Sequence, residues 1–432
     1  MNKEKFGIIL PITLLSYFLI LMDNSIIFTS SVQIGQSLGL SAAALSWVSS
    51  AYTLTFGGFL LLSGRLSDLL GRKRIFLAGL LIFGLSSFMI GLSKTAGMMI
   101  AMRAIQGIGS SIIAPTTLAL IMDAYENDMR QRAISYYGAT AGIGSSVGLL
   151  VGGGLTSLIS WRAGFLINVP FTLLLFFLTL KYVKNSKRRK ESIDYLGSLL
   201  SIIGLIGIIY GFTEAKFGFV LVGLIVLVLF ILWEQKISSP ILPLSLFRNK
   251  IRSGAYATRL LFMMAMLPFW FFLPQMMQSQ YGFSALQSGL AFLPLTIVNF
   301  LVAMQLPRLT ARFENSKVLL IGEILLAGGL ILLAVSDVTS GYWVAVFVPM
   351  LILGLGQGLV LAPVTSAGVH EAPNELAGIA SGVTNTMHQI GGPIGLSLIV
   401  STTTDFSIEI WMMTAFALVS ILIVAFFVHS RA

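Results

Sequence analysis

Long apolar runs separated by short polar breaks dominate the chain. Fourteen windows stand out: 6–30, 43–63, 75–92, 98–122, 133–159, 163–180, 195–212, 217–233, 253–275, 284–306, 318–335, 342–369, 376–401 and 410–428. Each is close to the roughly 20 residues that a helix needs to cross a hydrocarbon core of about 30 Å. In lipid the backbone must satisfy its own N–H and C=O groups, and a helix does so within one segment. The pattern predicts an all-α integral membrane protein with fourteen spans and both termini on one side. Composition agrees: 432 residues, 56% hydrophobic and 10% charged, against about 25% charged in soluble domains. Met1-Asn2-Lys3-Glu4-Lys5 leads straight into the first run without an A-x-A-like cleavage site. It reads as a retained first helix rather than a signal peptide.

A net charge of +10 raises the question of nucleic acid, but the positions of the cations answer it. Of 27 Lys and Arg residues, 22 fall on the side that holds the termini. Three (Lys94, Arg162, Lys216) fall opposite, and two (Arg103, Arg259) lie within spans. A bias this steep predicts cytoplasmic termini; the expected location is a bacterial cell membrane. The basic loops either set topology alone or also bind anionic lipid. Residues 181–190, with six cations, form the most hydrophilic stretch and suggest a boundary. The resulting parse is a six-helix bundle over 1–190, a two-helix insertion over 191–236 and a second six-helix bundle over 237–432. Pro307-Arg308-Leu309-Thr310-Ala311-Arg312 echoes 64–74 faintly.

Cysteine is absent and histidine occurs three times, at 370, 388 and 429. That excludes disulfides and thiolate metal sites. No metal cluster, nucleotide loop or Ser/His/Asp set emerges, so neither an enzyme nor a bound cofactor is expected. No loop is long enough for a soluble sensor domain.

Charges inside apolar runs carry the chemistry. At about 1.5 Å per residue, Asp23 lies roughly 26 Å along the first span and Arg103 about 8 Å into the fourth from the opposite face. The two reach similar depths. An intramembrane carboxylate should face the bundle interior, and burial and a neighbouring guanidinium act on its proton affinity in opposite senses. Proton carriage and a purely structural ion pair both fit. His388, near the midplane of the thirteenth span, suits a substrate contact, a second proton site or neutral packing. Glu323 reads as snorkelling or paired with Arg259 rather than as a transport group, and Asp123 as interfacial. Phe262 to Gln275 is rich in Met and aromatic residues, with Pro268 and Pro274. It suits either lipid contact or an adaptable cavity wall. Gly144, Gly148, Gly152 and Gly153 place small residues at fourth positions, which allows close helix approach. Candidate substrate-binding side chains are Asn24, Gln106, Trp270, Phe271, Gln275, Asn385 and Gln389.

Gly64-Arg65-Leu66-Ser67-Asp68-Leu69-Leu70-Gly71-Arg72-Lys73-Arg74 reads as a tight cytoplasmic connection between the second and third spans. It resembles the G-x-L-A-D-R-x-G-R-K signature of the major facilitator superfamily, with Ser67 for alanine and Leu69 for arginine. Arg103-Ala104-Ile105-Gln106-Gly107-Ile108-Gly109 resembles that superfamily's R-x-x-Q-G-x-G motif, whose arginine is implicated in proton coupling. Residues 144–153 resemble the antiporter motif G-x-x-x-G-P-x-x-G-G, with Leu149 in place of proline. Trp161-Arg162, Ile167-Asn168-Val169-Pro170 and residues 281–289 resemble stretches of fourteen-helix drug exporters. In the thirteenth span His388 replaces that family's usual arginine. The resemblance covers nearly the whole chain and implies a major facilitator fold, two six-helix bundles plus two extra central helices. It implies a drug:proton antiporter that exports hydrophobic, cationic compounds by alternating access. Asp23, Arg103 and His388 would couple protons, and Gly64, Asp68, Gly71, Arg72 and Asn374 would form a gate on the cytoplasmic side. Small drugs, protons and the bilayer are the expected partners of a monomer. The alternatives are an exporter of one metabolite or lipid on the same fold, or a membrane-embedded enzyme or sensor.

Overall fold

The computed structural model describes residues 6–185, 194–238, 240–373 and 376–428, and among these it contains helices and no strands. In chain order the long helices are α1 (Ile9–Leu38), α2 (Ala42–Leu70), α3 (Arg72–Gly91), α4 (Ala96–Ala124), α5 (Asn127–Leu158), α6 (Trp161–Tyr182) and α7 (Tyr195–Thr213). They continue as α8 (Phe217–Glu234), α9 (Lys250–Gln280), α10 (Ala285–Arg312), α11 (Asn315–Val335), α12 (Trp343–Gly368), α13 (Ala377–Thr402) and α14 (Phe406–Phe427). Length and hydropathy alone qualify thirteen of them as membrane spans. The other, α13, has 26 residues, but Thr384, Asn385, Thr386, His388 and Gln389 interrupt its apolar run. The chain is a multi-pass membrane protein, and its described residues hold the fourteen long helices that its apolar runs predict.

Local chemistry fixes the ends. Gly39, in the left-handed region at φ 60°, closes α1, a conformation that glycine adopts without a Cβ penalty. The Ser41 hydroxyl then accepts from the Ala44 N–H and opens α2. Thr95, Ser160, Asn249 and Asp405 cap α4, α6, α9 and α14 in the same way, and Ser284 with Gln287 forms a capping box at α10. Each cap satisfies N–H groups that have no partner within the helix. α6 is interrupted at Ile167 and α10 at Phe292, whereas α9 stays one helix across Pro268 and Pro274.

The connection expected over 64–74 is a single residue. α2 continues to Leu70 and α3 starts at Arg72, with Gly71 between them at φ 99°, ψ 128°. Polar side chains at a membrane surface do not end a helix, because water satisfies them. The turn comes where glycine permits a positive φ.

The helices cluster as two compact units, Met1–Asp194 and Tyr195–Ala432. In the first, α1 packs on α5, α2 on α4, α3 on both α4 and α6, and α1 on α4. In the second, α9 packs on α13, α10 on α12, α11 on both α12 and α14, and α9 on α12. The second set repeats the first with every helix number raised by eight, so the repeat that sequence shows faintly is plain in packing. α7 and α8 lie with the second unit, where they pack on each other and α7 also packs on α13.

Glycines make the closest of these contacts. A Cβ at Gly148 would lie 2.5 Å from the Met22 carbonyl oxygen and 2.8 Å from Ser25 Cβ, and one at Gly152 would lie 2.8 Å from Ile26 Cα. These α5 positions press backbone to backbone against α1 on either side of Asp23. On α13, Gly391 and Gly395 press in the same way on the backbone of Leu260 and Met264 of α9, and Gly392 packs on the Leu267 side chain. Lipid tails are as apolar as leucine, so close packing rather than the hydrophobic effect must hold such helices together.

Gly148 and Gly138 lie on one helix in opposite surroundings, since nothing lies within 4 Å of a Cβ at Gly138. Gly148→Ala should lower the thermal unfolding midpoint by an amount equivalent to about 1–3 kcal/mol. Gly138→Ala should leave it unchanged or raise it by about 1 kcal/mol through helix propensity. Fluorescence-detected size exclusion after heating reads both. Equal effects would contradict the close contact with α1.

Candidate functional site

At the centre of the first unit, Asp23 of α1 and Arg103 of α4 are both 0% exposed. The Arg103 guanidinium donates from Nη1 to Asp23 Oδ2 at 2.7 Å. The other carboxylate oxygen, Oδ1, accepts from Gln106 Nε2 at 2.9 Å and from Asn168 Nδ2 at 2.6 Å. The carboxylate therefore receives three donors from two helices besides its own. A buried ion pair is tolerable only when further hydrogen bonds of this kind make good the lost hydration.

A second layer of contacts holds the donors. Arg103 Nε donates to the Val48 carbonyl of α2 at 3.1 Å, and its Nη1 also reaches Gln106 Oε1 at 2.6 Å. The guanidinium lies over the Tyr52 ring at 4.2 Å and 5.7 Å from the Phe165 ring, a favourable placement for a delocalised cation. Tyr52 shares a hydrogen bond with Ser110 at 2.8 Å, and Gln106 Nε2 donates to Ser87 Oγ of α3 at 2.8 Å. Five helices thus meet at one carboxylate through named side chains. Gly107 lets α4 approach, because a Cβ there would collide with the Tyr52 carbonyl oxygen and Thr55 Oγ1. Some polar capacity remains unused: Arg103 Nη2, Asn168 Oδ1 and Asn24 Oδ1 are buried without a protein partner among the described residues.

The geometry brings Asp23, Arg103 and Gln106 into one cluster, with Gln106 bonded to the acid itself. Asn24 lies half-buried beside it. A model of the Major Facilitator Superfamily matches residues 13–396, from the first helix through the thirteenth.

The chain belongs to the major facilitator superfamily.

It is similar to the puromycin resistance protein of Streptomyces alboniger, at 33% identity over 415 residues covering 91% of this chain and 81% of that protein. It is also similar to the cephamycin export protein of Amycolatopsis lactamdurans, at 32% over 403 residues covering 90% and 83%. Multidrug resistance protein 3 of Bacillus subtilis matches at 29% over 406 residues, 91% of this chain and 78% of that protein. The superfamily's relatives here are drug-resistance and export proteins, and its members are transporters.

Other sequence-predicted residues of this superfamily member lie elsewhere. His388, Asn385 and Gln389 sit within two turns of α13 in the second unit, with Asn385 exposed and the other two half-buried. His388 Nδ1 is buried without a protein partner among the described residues. On α9, Phe271 is buried, Trp270 stacks on Phe292 at 5.0 Å and Gln275 donates back to the Phe271 carbonyl at 2.7 Å. At the end of α2, Asp68 pairs with Arg72 at 3.3 Å. Arg72 also donates to the Ala119 carbonyl at 2.8 Å and pairs with Asp123 in the last turn of α4. Gly64 stands in open space, and Gly153 is buried on α5. Asn374, expected in the same gate, lies outside the described residues. Glu323 does not snorkel: it is 1% exposed, beside Ser420 of α14. Its neighbour Gly322 packs against Leu359 and Val360 of α12, which turns that side of α11 inward.

Sequence reasoning passed over Asn168, Ser87 and Tyr52 as parts of this cluster. Asn168 had a signal, being the single amide in the apolar run 163–180. Serine and tyrosine are too common in membrane helices to stand out.

Removing one member of a buried pair leaves an uncompensated charge, which costs about 3–5 kcal/mol. Arg103→Leu should therefore destabilise the protein by that order, and Asp23→Leu with Arg103→Leu should recover most of it. Thermal unfolding midpoints of the purified single and double variants test this. A double variant no more stable than Arg103→Leu would contradict the pairing.

Proposed function

We propose that this superfamily member is a proton-coupled exporter of hydrophobic, cationic drugs, exchanging drug for proton by alternating access. The observation that carries the reading is the fully buried Asp23 carboxylate, held by one cation and two amides. With Asp23 ionised, the pair with Arg103 has no net charge and a cationic drug meets little repulsion. With Asp23 protonated, the Arg103 charge is uncompensated and repels such a drug across a medium of low dielectric. Proton and cation thereby compete without needing the same atoms. The pair needs no metal or cofactor to act, and the reading is that of a carrier rather than an enzyme.

The remaining parts take roles around this exchange. The proposed drug contacts are Asn24, Gln106, Trp270, Phe271, Gln275, Asn385 and Gln389, and His388 is a second titratable group. Methionine and aromatic side chains of α9 repack around varied compounds. Gly64, Asp68, Gly71, Arg72 and Asn374 form the cytoplasmic gate. The Asp68–Arg72–Asp123 charges are the part of it whose contacts support the reading. The division into bundles over 1–190 and 237–432 with an insertion over 191–236 fits a carrier with two moving halves. We place the protein as a monomer in a bacterial cell membrane, both termini cytoplasmic, in keeping with 22 of its 27 cations. The name of the cephamycin export protein supports a second reading, an exporter of one compound.

Inverted vesicles energised with a proton gradient separate these readings. Wild type should move several unrelated cationic dyes, a protonophore should stop it, and Asp23→Asn should reduce movement to the background rate. Normal dye transport by Asp23→Asn would remove Asp23 from the proton pathway. Movement of one compound and no dye would favour the single-compound exporter.

A further inference from the structure

We infer that Asn168 is a positioning residue that reports the charge state of Asp23 to α6 by turning its carboxamide. The inference rests on the reading that Asp23 carries the exchanged proton.

Asp23 Oδ1 accepts two N–H groups, from Gln106 and from Asn168. Once a proton binds Oδ1, a new O–H bond forms there and that oxygen becomes a donor. It cannot face two amide NH2 groups at hydrogen-bond distance, so one of the amides must present its oxygen instead. The two amides are not equally free to do so. Gln106 is tied at both ends: its Oε1 accepts from Arg103 Nη1 at 2.6 Å and its Nε2 also donates to Ser87 at 2.8 Å. Turning it would break both bonds and set an NH2 group against the guanidinium. Asn168 is tied at one end. Its Nδ2 makes the bond to Asp23, while its Oδ1 is buried with no protein partner among the described residues, and the residue is 0% exposed. A half-turn of its carboxamide breaks one bond, to a carboxylate that no longer exists, and makes one in return, from the new Asp23 O–H.

The charged and titratable side chains facing Asp23 do not offer a competing acceptor. Arg103 on α4 is a donor only, and Tyr52 on α2 spends its hydroxyl on Ser110. The α3, α5 and α6 helices present Ser87, Gly148 and Asn168. Position makes the turn consequential. Asn168 opens the second segment of α6 just after the interruption at Ile167, two residues before Pro170, and its carbonyl accepts from Thr172 Oγ1 at 2.9 Å. Pro170 has no N–H to offer the carbonyl of Leu166, so the turn that carries Asn168 is held by one backbone bond fewer than the rest of α6. The proton on α1 is thus read at the least tied turn of α6.

Difference infrared spectroscopy of the purified protein in lipid, taken between high and low pH, tests this. Wild type should show a new carboxylic-acid C=O band together with a downshift of a buried carboxamide C=O band, as an unbonded amide oxygen gains a donor. Asp23→Asn should lack both, and Asn168→Leu should keep the acid band and lose the carboxamide change. Labelling asparagine side-chain carbonyls with 13C should move the carboxamide band, and labelling glutamine should not. That comparison uses wild-type protein and stands if Asn168→Leu does not fold. In transport, Asn168→Leu should slow proton-driven efflux by about tenfold or more and spare drug-for-drug exchange, in which Asp23 stays ionised. A residue that only packs would slow both equally. An Asp23-dependent acid band without an asparagine carboxamide change would overturn the role of Asn168 and leave proton carriage intact. Absence of any Asp23-dependent acid band would remove both.

Discussion

Two opposite charges, both withdrawn completely from solvent, set the terms for the first unit. An isolated carboxylate or guanidinium at that depth would cost several kcal/mol in lost hydration. The pair is tolerable because Arg103 and Asp23 meet at 2.7 Å and because Gln106, Asn168 and the Val48 carbonyl supply further bonds. Each supporting group comes from a particular helix, so α1, α2, α4 and α6 have to converge, with α3 joined through Ser87. The small residues follow from that convergence. Gly107 admits α2 to α4, and Gly148 and Gly152 admit α5 to α1 beside the acid. Packing and chemistry are here the same constraint.

The second unit repeats the helix pairings and departs from the chemistry. Its α9 and α12 stand where α1 and α4 stand in the first. Between them Gln357 donates to the Met266 sulfur at 3.2 Å and Arg259 donates to the Leu361 carbonyl at 3.2 Å. An arginine bonded to a backbone carbonyl, an amide and a thioether stand at this pairing in place of the acid–arginine pair of the first unit. A shared framework that carries an acid–arginine pair in one unit and a Met- and aromatic-rich α9 in the other suits a protein that must tie a proton, a unit charge, to cargo of variable shape. That division of labour belongs to the proposed function and gives the superfamily assignment its physical content.

Much of this was legible in the chain. Apolar run length gave fourteen helices, and a charge inside such a run can only be costly or functional, which singled out Asp23 and Arg103. The glycines of 144–153 read as packing, but no pattern said that α1 was the partner. The motif around Gln106 does not reveal which side chain it faces, and the structure shows that Gln106 also donates to Asp23. Asn168 was visible as a lone amide and went unweighed, since a single amide in lipid has many possible partners. The turn at Gly71 was read as eleven residues long because polar composition, not backbone conformation, marked its limits. The place of Glu323 in the sequence suits either reaching for the surface or pairing with Arg259, and the packing around Gly322 and Ser420 turns it inward, against the first of these.

The central claim is that the proton exchanged for drug resides on Asp23. Counting protons released when a cationic dye binds the purified protein in weakly buffered solution addresses it directly. Wild type should release protons, and Asp23→Asn should bind the dye without releasing any. Equal release by both proteins would contradict that claim and move the proton to another group.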